Sequence, residues 1–295
     1  MPVTVLLNRG GGAVAADDEI AGKVAAALVA AGVEAEVELM EGKDCAARAK
    51  AIAGRGDELL IVGGGDGTIS AAASALAGSK TRLGILPLGT LNHFARDLGI
   101  PSDLAGAADV IAKGKQRRVD VAEMNGRIFI NNSAIGLYPL MVVDRELQQK
   151  RLGRSKRLAM VLASLRTFVR FKHQRLTLTI NKERKARLDT PLLFVGNNDY
   201  RIDIGAAGKR DSIEDGELCV MVMRKNTRAG LIAASIRVLF NRSRPDDMVY
   251  LDGVERLRVG SHRGRLAVSL DGEVIRTEPP LDYKIRKKAL TVVAP

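Results

Sequence analysis

The stretch 59–70 reads Leu-Leu-Ile-Val-Gly-Gly-Gly-Asp-Gly-Thr-Ile-Ser, a short apolar run that ends in three glycines, an aspartate and a threonine. The apolar run is typical of a buried parallel strand, and the glycines allow a sharp turn and a close approach to another molecule. An Ala-rich segment follows at 71–77, so we expect a helix there whose N-terminal N–H groups suit a phosphate. Asp66 would place a carboxylate beside this anion site, to bind Mg²⁺ or accept a proton. The stretch indicates nucleoside triphosphate chemistry.

Two other phosphate-binding patterns do not fit this loop. The Walker A motif requires a lysine after its last glycine, and none follows here. The dinucleotide pattern Gly-x-Gly-x-x-Gly, counted from Gly63, has Thr68 where the last glycine belongs. A tight strand-to-helix turn with a solvated aspartate also accounts for the glycines taken alone.

The composition limits the classes of protein. A length of 295 residues predicts two domains. The absence of Trp and an aromatic content of 3% argue against base stacking on single-stranded nucleic acid. Cys45 and Cys219 do not form a disulfide framework, which predicts a reducing compartment. Without a basic leader or an 18-residue apolar window, we expect a cytoplasmic protein that does not span the membrane, at most peripheral at its inner face.

The net charge of +12 is concentrated in one region, since many of the basic residues lie between Arg145 and Arg187. Within it, apolar residues recur at helical spacing, at Leu158, Val161, Leu162, Leu165, Phe168 and Val169. The pattern predicts a basic amphipathic helix. Its basic face is interpreted as a solvated surface, as a surface that adsorbs to an anionic membrane, or as a nucleic-acid contact.

The order of the elements predicts two regions. The first ~120 residues alternate strands (3–7, 33–39, 59–62, 83–87) with helices, one of them with Asp17, Asp18 and Glu19 in its first turn, which indicates a parallel sheet with helices on both faces. The loops at 8–12, 63–68 and 89–92 follow three of these strands, at the carboxyl ends where such sheets bind ligands. We therefore expect them to converge on one crevice.

After Asp120 the pattern changes to short alternating segments separated by turn signals such as Asn125-Gly126 and Asp271-Gly272. The predicted strands are 127–131, 176–181, 191–196, 217–223, 255–259, 265–270 and 289–293, with a helix near 226–241 besides the basic one. We expect a three-layer α/β domain over 1–120 and a mainly antiparallel β-sandwich domain over 121–295, with the last strand returning to the first domain.

Five segments, in this order and spacing, resemble the diacylglycerol kinase catalytic family, which includes sphingosine and ceramide kinases and bacterial lipid kinases. They are Asn8 with Gly10, Gly11 and Gly12; Gly64-Gly65-Asp66-Gly67-Thr68; Leu-Pro-Leu-Gly-Thr-Leu-Asn at 86–92; Ser-Ile-Glu-Asp-Gly-Glu-Leu at 212–218; and Asp271-Gly272-Glu273. The resemblance implies a first domain like those of phosphofructokinases and NAD kinases.

The resemblance also implies roles for these residues. Asp66 is expected to bind a catalytic Mg²⁺ and Glu273 to take the proton from the acceptor hydroxyl, although a hairpin turn with an exposed glutamate also accounts for the second pattern. Ser212, Asp215 and Glu217 are expected to hold a second Mg²⁺. The expected ATP-binding residues are Asn8, Gly10, Gly11, Gly12, Gly64, Gly65, Asp66, Gly67, Thr68, Thr90 and Asn92.

The chain departs from the family pattern at three places. Ser70-Ala71 replaces an Asn-Glu pair, His93 replaces a carboxylate, and the stretch 39–42 lacks a threonine common in the family. These changes bear on the nucleotide contacts, the number of metals and the acceptor.

The function expected is that of a Mg²⁺-dependent kinase that transfers the γ-phosphoryl group of ATP to a lipid hydroxyl, with diacylglycerol as the default acceptor. The alternatives are a sphingoid or other lipid acceptor, NAD kinase chemistry, and a non-catalytic scaffold that senses a nucleotide or a lipid. The expected partners are the lipid substrate, an anionic membrane surface and a second copy of the chain in a homodimer, and not nucleic acid.

Overall fold

The structure is a computed structural model that describes residues 2–11, 14, 17–137, 139, 173–199, 210, 212–224, 230 and 248–295. The basic helix expected around 158–169 lies outside these residues, and so does the helix expected near 226–241 apart from Gly230. None of the helices within the described ranges is long and apolar enough to cross a membrane.

The first layer is a parallel sheet in the order β2-β1-β3-β4. Its strands are β1 (Val3–Asn8), β2 (Ala35–Met40), β3 (Leu59–Gly64) and β4 (Arg82–Pro87). The helices of this region are α1 (Ile20–Ala30), α2 (Cys45–Arg55, after a 3₁₀ turn at Gly42–Asp44), α3 (Asp66–Leu76), α4 (His93–Asp97) and α5 (Leu104–Lys113). The central strands are buried on both faces, as their continuous apolar runs predict.

The same sheet continues beyond β4 through strands from the second half of the chain, in the order β4-β16-β13-β8-β9. Strand β16 runs parallel to β4, with Val292 opposite Leu83, and pairs along most of its length with β5. The bounds are β5 (Lys115–Met124), β6 (Arg127–Phe129), β8 (Gln174–Ile180), β9 (Arg184–Thr190), β13 (Arg256–Ser261) and β16 (Leu281–Ala294).

A second, fully antiparallel sheet has the order β12-β11-β10-β7-β14-β15. Its strands are β7 (Asn132–Gly136), β10 (Leu192–Asn197), β11 (Leu218–Met223), β12 (Met248–Val254), β14 (Leu266–Leu270) and β15 (Glu273–Thr277). Strands β14 and β15 are joined by Asp271 and Gly272, whose φ angles of 46° and 87° fit a two-residue hairpin turn.

The buried side chains form two clusters. One lies between the parallel strands and their helices, and it also includes Leu290 and Val292 of β16. The other fills the space between the antiparallel strands of the two sheets and includes Leu281 and Tyr283 of the same strand. The predicted fold class, an α/β domain with an antiparallel β domain, is confirmed.

Two local predictions are corrected by the structure. The helix expected over the Ala-rich segment 71–77 begins earlier, at Asp66, with Gly65 as its N-cap. The Gly-Asp-Gly-Thr signature therefore forms the first helical turn, because the extended Gly65 already ends the strand. The acidic residues Asp17, Asp18 and Glu19 precede α1 rather than forming its first turn, since Asp17 instead binds Lys23 and the N–H of Glu19.

Candidate active site

Three loops converge at the carboxyl ends of β1, β3 and β4. The side-chain amide of Asn8, at the end of β1, donates a hydrogen bond of 2.9 Å to the hydroxyl of Thr68 in α3. The β3 and β4 loops are in backbone contact, because a Cβ on Gly89 would lie 2.4 Å from the Cα of Gly65. The structure thus brings together three segments that the sequence places up to 84 residues apart (8 to 92).

Asn8 fixes the first of these loops. Its Oδ1 accepts the N–H of Gly10 at 3.0 Å, and its carbonyl accepts the N–H of Gly11. A Cβ on Gly42 would lie 2.8 Å from the Asn8 Nδ2, so the neighbouring strand-end loop is packed against the same amide. Gly12 lies outside the described residues.

The second loop presents the N-terminus of α3. The N–H groups of Asp66 and Gly67 belong to the first helical turn, where no intrahelical acceptor exists. A Cβ on Gly67 would meet nothing within 4 Å, whereas one on Gly64 would lie 2.8 Å from the Cβ of Thr68. The helix end is therefore open at Gly67 and closed behind it by the buried Thr68.

The third loop is closed by Asn92, which has a left-handed backbone with φ of 49°. Its Oδ1 accepts the N–H of Gly89 at 2.9 Å, and its Nδ2 donates to the carbonyls of Pro87 and Gly89. This amide shapes the loop, while Thr90 is exposed. The N–H of Phe94 is 3.4 Å from the Asp66 carboxylate, so α4 borders the same site.

His93 lies at the start of α4 beside this loop. Its Nδ1 is 2.9 Å from the Arg96 guanidinium. Because a guanidinium only donates, Nδ1 is the acceptor of this hydrogen bond and a neutral ring carries its proton on Nε2. His93 therefore forms a hydrogen bond with a residue of its own helix, α4.

A cavity of about 350 Å³ joins this loop system to the second sheet. Gly67 lines one side and Glu273, the first residue of β15, lines another. Its remaining lining residues are Ala46, Ser70, Ala71, Ser74, Gly126, Arg127, Ile128, Leu270, Asp271 and Ile275. The structure therefore places the glycine-rich loop and the glutamate on one cavity, although Glu273 follows Gly67 by 206 positions in the sequence (273 − 67).

The Asp271 carboxylate is held on the wall of this cavity by four donors. They are the hydroxyl of Ser70 and the backbone N–H groups of Ile130, Asn131 and Asn132, the latter three at 2.8–2.9 Å. Burial of the carboxylate raises its pKa above the ordinary range, and the four hydrogen bonds oppose that rise. The tip of the β14–β15 hairpin is therefore fixed to both α3 and the start of β7.

Residues 2–124 match the family described as the diacylglycerol kinase catalytic domain. These residues belong to that family. The matched residues include the three loops at the ends of β1, β3 and β4, but they do not include Glu273.

Known proteins resemble the chain over different lengths. Over 81 residues it is 47% identical to the diacylglycerol kinase of Staphylococcus epidermidis and 46% identical to that of Staphylococcus aureus. These matches span 27% of this chain and only 26% of each relative.

Among solved structures, a diacylglycerol kinase from Bacillus anthracis superimposes with a TM-score of 0.69 at 20% identity, covering 100% of this chain and 97% of its own. An NAD kinase from Archaeoglobus fulgidus in complex with ATP gives a TM-score of 0.51 at 12% identity, covering 99% and 92%. At these identities the likeness shows the fold, which agrees with the one expected for the catalytic domain.

The residues expected to hold a second Mg²⁺ line a different cavity, of about 440 Å³. Ser212, Asp215 and Glu217 share it with Asp199 and Asp252. The Asp215 carboxylate accepts the N–H of Asp199 at 3.4 Å, and the Glu217 carboxylate accepts the N–H of Gly253 at 3.1 Å. Within the described ranges, no group of three or more His, Cys, Asp and Glu side chains is arranged to hold a metal ion, so this site stays a prediction.

Two contacts between residues 2–124 and the second half of the chain are not apparent from the sequence. One is the bond from Ser70 to Asp271, because Ser70 stands out only as a departure from the family pattern. The other is a buried ion pair between Asp97 of α4 and Arg210, whose side chains are 2% and 0% exposed. Arg210 also donates to the Asn131 side chain, so α4 is tied to the segment that holds Asp271. Arg210 stands in the polar stretch Lys209-Arg210-Asp211-Ser212, which carries no sequence signal of such burial.

Proposed function

We propose that the protein is a Mg²⁺-dependent lipid kinase that transfers the γ-phosphoryl group of ATP to a lipid hydroxyl, with diacylglycerol converted to phosphatidic acid as the first reaction to test. The observation that carries this proposal is the cavity shared by Gly67 and Glu273. A phosphoryl donor at the first turn of α3 and an acceptor beside Glu273 would therefore meet in this one cavity.

The residues present fit a nucleotide at the α3 end of the cavity. Phosphoryl transfer depends mainly on alignment of the donor and neutralisation of its charge. The open side of Gly67, where a Cβ would touch nothing, leaves room for a phosphate at the N–H groups and positive dipole end of the helix. The loops that carry Asn8 and Asn92 lie beside this helix end, since Asn8 is bonded to Thr68 and Gly89 approaches Gly65.

A carboxylate oxygen is the kind of ligand that Mg²⁺ prefers, and Asp66 supplies one at this helix end. Its carboxylate is half-buried, and the hydrogen bond from Phe94 is long, at 3.4 Å, so it remains available to a cation. When bound there, Mg²⁺ would neutralise negative charge on the phosphate oxygens.

Glu273 is proposed as the group that accepts the proton of the acceptor hydroxyl. It is exposed at the start of β15, and the hairpin turn before it is fixed by the hydrogen bonds of Asp271. A general base must be held within hydrogen-bonding reach of the proton it removes. The hydrogen bonds of Asp271 fix the position of the hairpin that carries Glu273.

A lipid acceptor is supported by the membership of residues 2–124 in the diacylglycerol kinase catalytic family. Sphingoid and other lipid hydroxyls remain alternative acceptors. The replacements at Ser70, Ala71 and His93 keep the non-catalytic sensing scaffold as the second candidate, because two of these residues line the cavity.

The test is transfer from γ-labelled ATP to a mixed lipid extract with Mg²⁺, comparing the wild type with Asp66→Ala and Glu273→Gln. Glu278→Gln is a matched control, because Glu278 is exposed and lies outside the cavity. We expect one labelled lipid that disappears in both site variants and persists in the control, and chromatography then gives the acceptor class. ATP binding without any labelled lipid would instead favour the sensing scaffold.

We also propose a peripheral contact with anionic membrane surfaces, since the basic residues between 145 and 187 fit such a surface. Reversal of the charges at Arg154, Lys156 and Arg157 is expected to abolish binding to anionic vesicles, and unchanged binding would remove this proposal.

A homodimer is proposed as the assembly, to be tested by light scattering of the purified chain.

A further inference from the structure

The hydroxyl of Ser70 connects the two parts of the candidate active site. It donates to Oδ2 of Asp271, a residue 201 positions further along the chain. Ser70 lies on α3, which begins at the glycine-rich loop, and Asp271 lies in the turn that precedes Glu273. The hydrogen bond therefore runs from the phosphate-loop helix to the hairpin of the proposed base.

The other hydrogen bonds of the Asp271 carboxylate come from a single segment of the second half of the chain. Ile130, Asn131 and Asn132 donate their backbone N–H groups, and Asn132 in turn accepts the N–H of Asp271. These contacts attach the hairpin to β7. Among the four donors to this carboxylate, Ser70 alone belongs to α3.

Ser70 also lies at a suitable place on its helix. It follows Asp66 by four residues, which puts both on the same helical face one turn apart. Glu273 follows Asp271 by two residues, and Ser70, Asp271 and Glu273 all line the same cavity. The hydrogen bond thus links the helix that carries Asp66 to the hairpin that carries Glu273.

We propose that Ser70 is a positioning residue that sets the Glu273 hairpin against the phosphate-binding helix. This inference rests on the proposed lipid kinase function. Small displacements of a reacting group cost large factors in rate, so loss of the bond would act on the transfer step. Nucleotide binding would be spared, because the backbone N–H groups of the first turn and the loops of Asn8 and Asn92 are unaffected.

The experiment compares Ser70→Ala, Ser70→Thr and Ser79→Ala in the full chain. Alanine is a good helix former, so Ser70→Ala removes the donor without disfavouring α3, and threonine keeps the hydroxyl. Ser79 follows α3 and is the matched control, since its buried Oγ has no hydrogen-bond partner among the described residues.

For Ser70→Ala we expect kcat to fall by roughly 10- to 100-fold with little change in KM for ATP. Ser70→Thr should recover most of the rate, and Ser79→Ala should keep the wild-type kcat. An unchanged kcat in Ser70→Ala would overturn the proposal. So would a loss of ATP affinity that matches the loss of rate, because the residue would then act on nucleotide binding.

Amide hydrogen exchange of residues 130–132 and 270–274 separates this inference from the proposed function. Faster exchange of the hairpin in Ser70→Ala than in Ser79→Ala supports its attachment through Ser70 whether or not a lipid is phosphorylated. Unchanged exchange overturns that attachment. Absence of phosphoryl transfer by the wild type would instead overturn the lipid kinase proposal.

Discussion

At the scale of single residues, the contact of Gly89 with Gly65 decides whether the β3 and β4 loops can meet. A Cβ at Gly89 would lie 2.4 Å from the Cα of Gly65 and 2.7 Å from Oδ1 of Asn92. Gly89→Ala should therefore separate the loops, with a cost of about 1–3 kcal/mol in the free energy of unfolding and weaker ATP binding. Thermal unfolding and calorimetric titration with ATP measure both effects.

Gly54→Ala is the control for this substitution. Gly54 lies inside α2, and its added Cβ would meet nothing within 4 Å, so alanine is expected to leave ATP binding unchanged and to raise stability by up to ~1 kcal/mol. Wild-type behaviour of Gly89→Ala would show that the two loops are not held in backbone contact.

Cys45, also at the residue scale, makes stability depend on pH in the alkaline range. It is fully buried, and burial raises the pKa of its thiol from 9.0 to about 11. Below pH 9 the thiol is neutral in both states. Between pH 9 and 11 it ionises only in the unfolded chain, so the free energy of unfolding should fall by about 2–3 kcal/mol.

Chemical unfolding of the wild type and Cys45→Ala at pH 8 and pH 10.5 tests this expectation. The variant loses packing and is less stable at both pH values, but its decrease between them should be smaller than that of the wild type. An equal decrease would assign the alkaline destabilisation to other groups. In the native wild type, iodoacetamide at pH 8 should leave Cys45 unmodified.

At the scale of elements, α4 is anchored by a charge pair that water does not reach. Asp97 and Arg210 are 2.7 Å apart and almost fully buried, and Arg210 also lies 5.8 Å from the centre of the Phe94 ring. Removal of one partner leaves an uncompensated buried charge, so Asp97→Asn should reduce the free energy of unfolding by roughly 3–5 kcal/mol.

Asp109→Asn is the matched control in urea unfolding. Asp109 pairs with Lys113 in α5, but both side chains are more than half exposed, and such pairs contribute about 0.3–0.5 kcal/mol. Similar losses in the two variants would mean that the Asp97–Arg210 pair is solvated in solution.

The elements also show where sequence patterns stop being informative. The strands β1, β3 and β4 are predictable, because strands buried on both faces need continuous apolar runs. Strand β9 is not, since Arg184–Thr190 reads as a charged loop. It is an edge strand with one packed face, and exposed charges are the usual protection of such an edge.

The candidate site divides in the same way. Asn8, Asp66 and Asn92 are predictable because each lies at or after the carboxyl end of a parallel strand, and Glu273 because its motif resembles that of a family. The Ser70–Asp271 hydrogen bond is not, since no local periodicity relates residues 201 positions apart. The pattern Asp271-Gly272 indicates a turn and does not reveal that the carboxylate of its first residue holds three backbone N–H groups.

At the scale of the whole molecule, β16 is shared by both hydrophobic clusters. Leu281 and Tyr283 at its start pack in the antiparallel cluster, whereas Leu290 and Val292 at its end pack in the α/β cluster. A register irregularity between Arg286 and Leu290, with Lys288 at φ of 52°, separates the two ends. A single strand that contributes to both cores couples them, so we expect the two halves to unfold in one transition.

Leu290→Ala tests this coupling, because Leu290 is fully buried in the α/β cluster. The cavity should cost about 2–5 kcal/mol, and the loss should appear in the global unfolding of both halves. Amide hydrogen exchange then measures the slowest-exchanging residues of β3 and of β10. We expect equal acceleration in the two strands. Acceleration confined to β3 would show that the antiparallel half unfolds independently. The presence of β16 in both clusters would then not couple their free energies of unfolding.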